Sequence, residues 1–299
     1  MRVLFMGTPL FAKVILEAVC GEFEVVGLFC QPDKPSGRKQ EIQMPPTKTY
    51  VLQSHPSIPI FQPESFDEEI YQKVAALKPD VIVVVAYGKI LPSRLLAHRC
   101  INLHASILPK YRGASPIQEM ILQDDAYFGV TAMAMEEGLD CGDILGISLC
   151  KNDHKISLGL LSEKLAQMGA GLIKEVLCRE DLLPLAQDEI HSSYCKKIKK
   201  ENGLVEFEDA RKLERFSRAY EGWPQVFLQS GLKLFGIEIR EEQGSHKKGE
   251  ILEITTEKIA VGCVRGSVWI KFLQAPNKQK VRAVDYVNGR RLQVGMVLE

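Results

Sequence analysis

Residues 81–85 read Val-Ile-Val-Val-Val, five β-branched side chains in a row. A strand points alternate side chains to opposite faces, so this one has no polar face to offer water. It must be covered on both sides, as the central strand of a parallel sheet is. Around it the front half of the chain alternates short β-branched runs with helical patterns. Strands are expected over 2–6, 24–29, 81–85, 101–103 and 130–135, and helices over 9–20, 66–77, 116–122 and 158–177. That alternation is the signature of βαβ units. The fold class expected is therefore α/β, a doubly wound, mainly parallel sheet of the Rossmann-like kind.

Two stretches break the pattern. Residues 31–46, QPDKPSGRKQEIQMPP, are too irregular for a core element and are expected to form an exposed loop. From about 179 the periodicity fades into a polar linker that ends in KKIKK at 196–200. Beyond it the texture changes. One helix is expected over 210–220, followed by short alternating segments at 232–239, 258–263 and 268–273, which suggests a small β-barrel of the OB-like type. The domains expected are 1–190 and 201–299.

The formal net charge of zero hides a division. Residues 1–190 hold 18 Lys and Arg against 24 Asp and Glu, while 191–299 hold 20 against 14. A basic appendage on an acidic body suits a polyanion-binding module. Ordinary solvated lysines give the same count. With 45% hydrophobic residues and no apolar run near the length a membrane helix needs, a membrane role is not indicated. The N-terminus lacks a signal-peptide pattern, so a cytoplasmic, monomeric protein is expected. Eight cysteines form no CxxC pair and no zinc-like cluster, and they read as reduced, mostly buried side chains; no metal site is expected.

Open parallel sheets bind ligands beyond the carboxyl ends of their strands. The expected strand 101–103 runs straight into His104, and the strand ending near 135 runs into EEGLDCGDIL at 136–145. Asn102 and His104 are two apart and share a strand face. An amide donor beside an imidazole can polarise one carbonyl and hold the oxyanion formed when a nucleophile adds to it. Asp140, within reach, would orient the imidazole. A histidine that merely satisfies its own backbone is the competing reading. Cys141, in the same segment, has no histidine near it in sequence to activate it as a nucleophile.

The string Asn102-Leu103-His104-Ala105-Ser106-Ile107-Leu108-Pro109 with Tyr111-Arg112-Gly113 resembles the NxHxSxLPxxRG pattern of the 10-formyltetrahydrofolate-dependent formyltransferases. GLDCGDIL, about 30 residues on, is similar to the second half of their signature. The resemblance implies a formyltransferase core in which Asn102, His104 and Asp140 are catalytic and Ser106, Ile107, Leu108 and Pro109 line the folate site. It implies 10-formyltetrahydrofolate as donor, with no metal and no nucleotide cofactor. The Gly7-Thr8-Pro9 turn carries neither GxGxxG nor a P-loop pattern.

Three further strings resemble the branch of that family acting on methionyl-tRNA: GTPLFA at 7–12, QPDKPSGR at 31–38 and AYGKILP at 86–92. Through them the resemblance implies that Ala86 and Tyr87 also line the folate site, and that Lys34, Arg38 and Lys39 meet the tRNA. Where relatives continue with a glycine and two lysines, this chain has Lys39-Gln40-Glu41, a less basic loop. Lys196 and Lys197 are expected to meet tRNA phosphates, and Trp223-Pro224 matches a stretch of the same branch. The expected reaction is formyl transfer to the α-amino group of initiator methionyl-tRNA. A sugar-nucleotide formyltransferase would use the same three residues, and a formyltetrahydrofolate hydrolase would replace the amine by water.

Overall fold

The computed structural model describes residues 1–36, 40–179 and 181–299. Two compact units emerge. The first comprises Met1–Pro116, Ala126–Lys151 and Leu160–Cys195; the second comprises Ile117–Asp125, Asn152–Gly159 and Lys196–Glu299.

In the first unit the strands are β1 (Arg2–Gly7), β2 (Glu24–Phe29), β3 (Lys34–Ser36), β4 (Glu41–Gln43), β5 (Ile60–Phe61), β6 (Val81–Val85), β7 (Cys100–His104), β8 (Arg112–Gly113), β9 (Tyr127–Ala134), β10 (Ile144–Lys151) and β11 (Tyr194–Cys195). Seven build one sheet in the order β10-β9-β7-β6-β1-β2-β5. The run from β5 to β7 is parallel, and β9 and β10 join it antiparallel. The chain reverses direction across the sheet between β1 and β6, so the crevice at their carboxyl ends is the switch point at which such sheets take ligands.

Every residue of β6 is buried. On one face Leu4, Met6, Ile82 and Val84 pack with Ile70 and Val74 of helix α3 (Glu68–Leu77), which follows α1 (Leu10–Cys20) and α2 (Pro46–Ser54). On the other, Leu103 lies against Gly169 of a later helix spanning Leu158–Cys178, where a Cβ would come within 2.4 Å of a Leu103 methyl. Each fully buried Val or Leu contributes roughly 1.5–3 kcal/mol of burial energy, so the doubly covered strands dominate the stability of this unit.

The described residues of the 31–46 segment hold regular structure that its composition does not suggest. β3 and β4 form a short antiparallel ladder with Lys34 opposite Gln43, and α2 starts at Pro46, where the missing N–H costs no hydrogen bond. Arg38 and Lys39 lie outside the described residues.

The second unit is built on an antiparallel sheet of β12 (Val226–Phe227), β13 (Lys233–Glu241), β14 (Ile251–Ile254), β15 (Ile259–Gly262), β16 (Ser267–Gln274) and β17 (Val281–Arg282). Its order is β12-β13-β16-β15-β14, and β17 continues the β15 edge of β16. The helix Ala210–Ala219 begins at Asp209, whose carboxylate accepts from the Lys212 N–H at 2.9 Å, the capping that an Asp before a helical run favours. Among the described residues no helix is long and apolar enough to cross a membrane.

Candidate active site

Asn102 and His104 close the carboxyl end of β7. Ile101 and Leu103 take the face toward the Leu158–Cys178 helix, so alternation sends Cys100, Asn102 and His104 to the other. Both polar side chains are nearly buried, at 9% and 7% exposure, and buried polar groups need partners. They find them in two loops.

Asp140 arrives on the 136–143 loop in a left-handed conformation with φ of 52°. Its Oδ1 accepts from Nδ2 of Asn102 at 3.2 Å, and its Oδ2 accepts from the N–H of Gly113 at 2.9 Å. Nδ1 of His104 stands 3.6 Å from Oδ2, an ion-pair distance rather than a hydrogen bond. The other ring nitrogen, Nε2, lies 2.8 Å from the carbonyl oxygen of Tyr111. A carbonyl oxygen only accepts, so Nε2 carries a proton and Nδ1 is the atom free to exchange one. The three side chains therefore meet, with Asp140 bonded to Asn102 and facing His104.

The second loop is held rigidly. Thr131, opposite His104 on β9, donates to the Ser106 carbonyl at 2.7 Å and accepts from the Leu108 N–H at 3.1 Å. Tyr111 sits at φ of 61°, and its N–H donates to the Ser193 hydroxyl at 2.9 Å. Gly113, with φ of 115°, lies so close to β11 that a Cβ would stand 2.4 Å from the Cys195 carbonyl oxygen.

Of the expected folate-lining residues, Ala86 is exposed, and Ile107 and Pro109 are half-buried. Ser106, Leu108 and Tyr87 turn inward. The Ser106 hydroxyl is spent on the Lys110 carbonyl at 2.6 Å, and Leu108 packs with Met133 and Ile144. The Tyr87 ring is in the core, where burial and then the neighbouring Cys30 push its hydroxyl up to about 12. That hydroxyl has no partner among the described residues. Exposed apolar side chains stand nearby in sequence at Ile90 and Leu139, and Ser93 donates to Glu137 at 2.5 Å, tying the 86–93 segment to the 136–143 loop.

Lys34 is exposed on β3, and Lys196 and Lys197 are exposed at the start of the 196–299 segment. Behind the β3–β4 hairpin, Lys48 binds Asp33 at 2.7 Å and Gln62 at 2.8 Å, which holds the Asp33 carboxyl below its ordinary range. Of the eight cysteines, none in a disulfide, four are buried, three are half-buried and Cys178 is exposed. Among the described residues no group of three or more His, Cys, Asp or Glu side chains could hold a metal ion.

Two contributors escape sequence reasoning. Arg112, 1% exposed, donates to Gln187 at 3.0 Å and pairs with Glu189 at 2.7 Å. Glu189 raises the guanidinium, and Arg112 holds the Glu189 carboxyl below the usual range. Neither Gln187 nor Glu189 stands in any periodic pattern that would mark it.

Residues 1–177 match the family model described as formyl transferase, and residues 197–291 match the formyl transferase C-terminal domain. The chain is 52% identical to the methionyl-tRNA formyltransferase of Helicobacter pylori (strain ATCC 700392 / 26695) over 302 residues, covering all of both chains. It is 53% identical to the methionyl-tRNA formyltransferase of Wolinella succinogenes, covering 99% of each. A solved structure of HypX from Aquifex aeolicus in complex with tetrahydrofolic acid aligns with a TM-score of 0.64 at 17% identity. That alignment covers 96% of this chain and 47% of HypX, a likeness of fold.

Proposed function

The chain belongs to the formyl transferase family, and from that membership we propose that it formylates the α-amino group of initiator methionyl-tRNA with 10-formyltetrahydrofolate as donor. Formylation of methionyl-tRNA follows from about 50% identity to methionyl-tRNA formyltransferases along the whole chain. The donor is folate-derived, in keeping with the family and with the tetrahydrofolate-bound structural relative. With charged tRNA as acceptor, the reaction belongs in the cytoplasm, and the chain works there as a monomer.

The observation that carries the catalytic reading is the Asn102, His104 and Asp140 cluster. An aminoacyl ester has an amino group with a pKa below the roughly 8 of a free chain terminus, so much of it is neutral at working pH. Its lone pair forms the new N–C bond at the formyl carbon while the C=O electron pair moves to oxygen. Asn102 gives one amide hydrogen to Asp140 and keeps the second for that oxyanion. The oxyanion then collapses, the bond from the formyl carbon to the folate nitrogen breaks, and the proton lost by the attacking amine must reach that nitrogen; with Nε2 of His104 committed to Tyr111, it passes through Nδ1. Asp140 faces Nδ1 and steadies the charge that arises there.

Ala86, Ile107 and Pro109, which are open to solvent in part or whole, line the donor site, and the inward-turned Ser106, Leu108 and Tyr87 support it; their exposure is what favours this division. Lys34, Arg38 and Lys39 on the 31–46 segment meet the acceptor end of the tRNA. Lys196, Lys197 and the basic 201–299 domain meet phosphates further along. The 1–190 domain is catalytic.

Transfer of labelled formyl from 10-formyltetrahydrofolate to charged initiator tRNA, beside an amino-sugar nucleotide and a no-acceptor control, tests this. Formylated tRNA alone is expected. Product on the sugar, or free formate alone, would overturn the acceptor.

A further inference from the structure

Residues 178–196 lie between the two matched family models, and within them 185–195 bond to the loops of the site. Leu185 exchanges both backbone hydrogen bonds with Ile144, at 2.8 and 2.9 Å, just past the Asp140 loop. Ser193 takes the N–H groups of Tyr111 and Arg112, and Cys195 pairs with Gly113. Between these anchors, Gln187 hydrogen-bonds to the loop that carries Asp140.

Its amide nitrogen donates to the carbonyl oxygens of Asp140 at 3.0 Å and of Gly142 at 2.7 Å. Its amide oxygen accepts from Nε of Arg112 at 3.0 Å. The orientation is forced: a flipped amide would set its oxygen against two carbonyls and its NH2 against a guanidinium. Arg112 cannot swing away, because it is buried and paired with Glu189. Gln187 is thus held by a fixed cation and spends its two hydrogens on the carbonyls of Asp140 and Gly142.

The first of these, Asp140, is the residue whose backbone needs holding. Asp140 adopts the left-handed region, which an aspartate keeps only when its surroundings hold it there. If the carbonyls of Asp140 and Gly142 lose their donors, the turn relaxes. The carboxylate then leaves Asn102, the Gly113 N–H and the neighbourhood of His104 together.

We propose that Gln187 is a positioning residue for formyl transfer, acting through Asp140 by clamping the carbonyls on either side of Cys141 under the direction of Arg112. The proposal rests on the reading of Asp140 as catalytic.

Gln187→Glu tests it, since the glutamate keeps the shape and the acceptor for Arg112 but offers no hydrogen to the carbonyls. Expected is a fall in kcat of about tenfold to a hundredfold, the scale on which small misplacement acts, with KM for methionyl-tRNA and for 10-formyltetrahydrofolate within about twofold. Faster amide exchange is expected at Gly113, with the amides of the central strands unchanged. In an Asp140→Asn background the same substitution should lower the residual rate by less than about twofold, because the two act as one unit.

If Gln187→Glu melts well below the parent, Gln187→Met, uncharged and without donors, is read by the same comparisons. Wild-type kcat in the Gln187 variant beside an impaired Asp140→Asn overturns the proposal alone. A Gln187 loss that recurs in full without Asp140 overturns it as well, since the residue would then serve the fold at large. Full activity in Asp140→Asn overturns the reading on which it rests.

Discussion

Nδ2 of Asn102 donates to Oδ1 of Asp140 across 3.2 Å, and the same carboxylate accepts from Gly113 through its other oxygen. Asp140 is therefore the hub on which the amide and the 109–114 loop are both set. Removing it frees Asn102 to rotate and withdraws the charge facing His104 at one stroke. Asp140→Ala is expected to cut kcat/KM at least a hundredfold and leave tRNA binding within about twofold, as a residue acting only on the reacting atoms should. Retention of more than about a tenth of the wild-type rate, a loss under roughly 1.4 kcal/mol, would falsify its role.

His104 offers a sharper discrimination because its two nitrogens have different duties. In Gln or Asn, only one of the two positions is reproduced. His104→Gln keeps a donor where Nε2 meets the Tyr111 carbonyl and has nothing to exchange a proton at Nδ1. It should fold with a melting temperature close to wild type and lose about a hundredfold or more in kcat, since proton-transfer assistance is typically about 10²–10⁴-fold. Ring nitrogen NMR of the wild type should show neutral His104 protonated at Nε2. A proton at Nδ1 alone would reverse the assignment.

The parts of this molecule that the sequence makes legible are those whose chemistry repeats along the chain. β6 is visible because both faces are apolar, and Asn102 and His104 stand out because two polar residues end an otherwise apolar strand. β10 is not visible. As the edge of the sheet it is covered unevenly, and it carries Gly146 against the Leu172 methyl beside the exposed Leu149, so no stripe forms. α2 buries only Thr47 and Val51 and shows no amphipathic face. Gln187 is invisible for another reason. Its partners are backbone carbonyls 45 and 47 residues away, and nothing local distinguishes it from a solvated glutamine.

Recognition of the acceptor should separate cleanly from chemistry. Lys34 stands exposed on the β3–β4 hairpin, and Arg38 follows in the same segment. Lys34→Ala and Arg38→Ala are each expected to raise KM for methionyl-tRNA about threefold to tenfold without moving KM for the donor, as removal of a single phosphate-binding or polar group does. The dependence of log KM on log salt should flatten by about one unit for each phosphate that the variant no longer neutralises. Unchanged kinetics in both variants would remove this hairpin from the tRNA interface.

The base of that hairpin has an acid-sensitive fastening. Lys48 and Gln62 hold the folded Asp33 carboxyl below its unfolded value, so the unfolded chain binds the proton more readily. The stabilisation is complete above the unfolded value of about 3.9 and disappears as pH falls through the lower folded one. Asp33→Asn should cost about 1 kcal/mol at neutral pH, a figure kept small because the pair is partly open to water. Melts of both proteins should converge as pH drops below about 4. A gap that persists unchanged to pH 3 would mean that the carboxylate charge is not what holds the hairpin base.

Gly113 joins backbone conformation to catalysis most directly. Its φ of 115° lies where L side chains are strained, and a Cβ there would sit 2.4 Å from the Cys195 carbonyl oxygen, a backbone atom with no flexible end to move aside. The same residue gives its N–H to Oδ2 of Asp140. Gly113→Ala should therefore destabilise the fold by about 1–3 kcal/mol through the strained φ alone, and by more where β8 and β11 must part. Because any relief of the clash moves the N–H away from Asp140, the folded fraction should also turn over at least tenfold more slowly when rates are corrected for active protein. A variant that melts early but keeps the wild-type rate per folded molecule would show that the Gly113 N–H holds the loop and not the carboxylate.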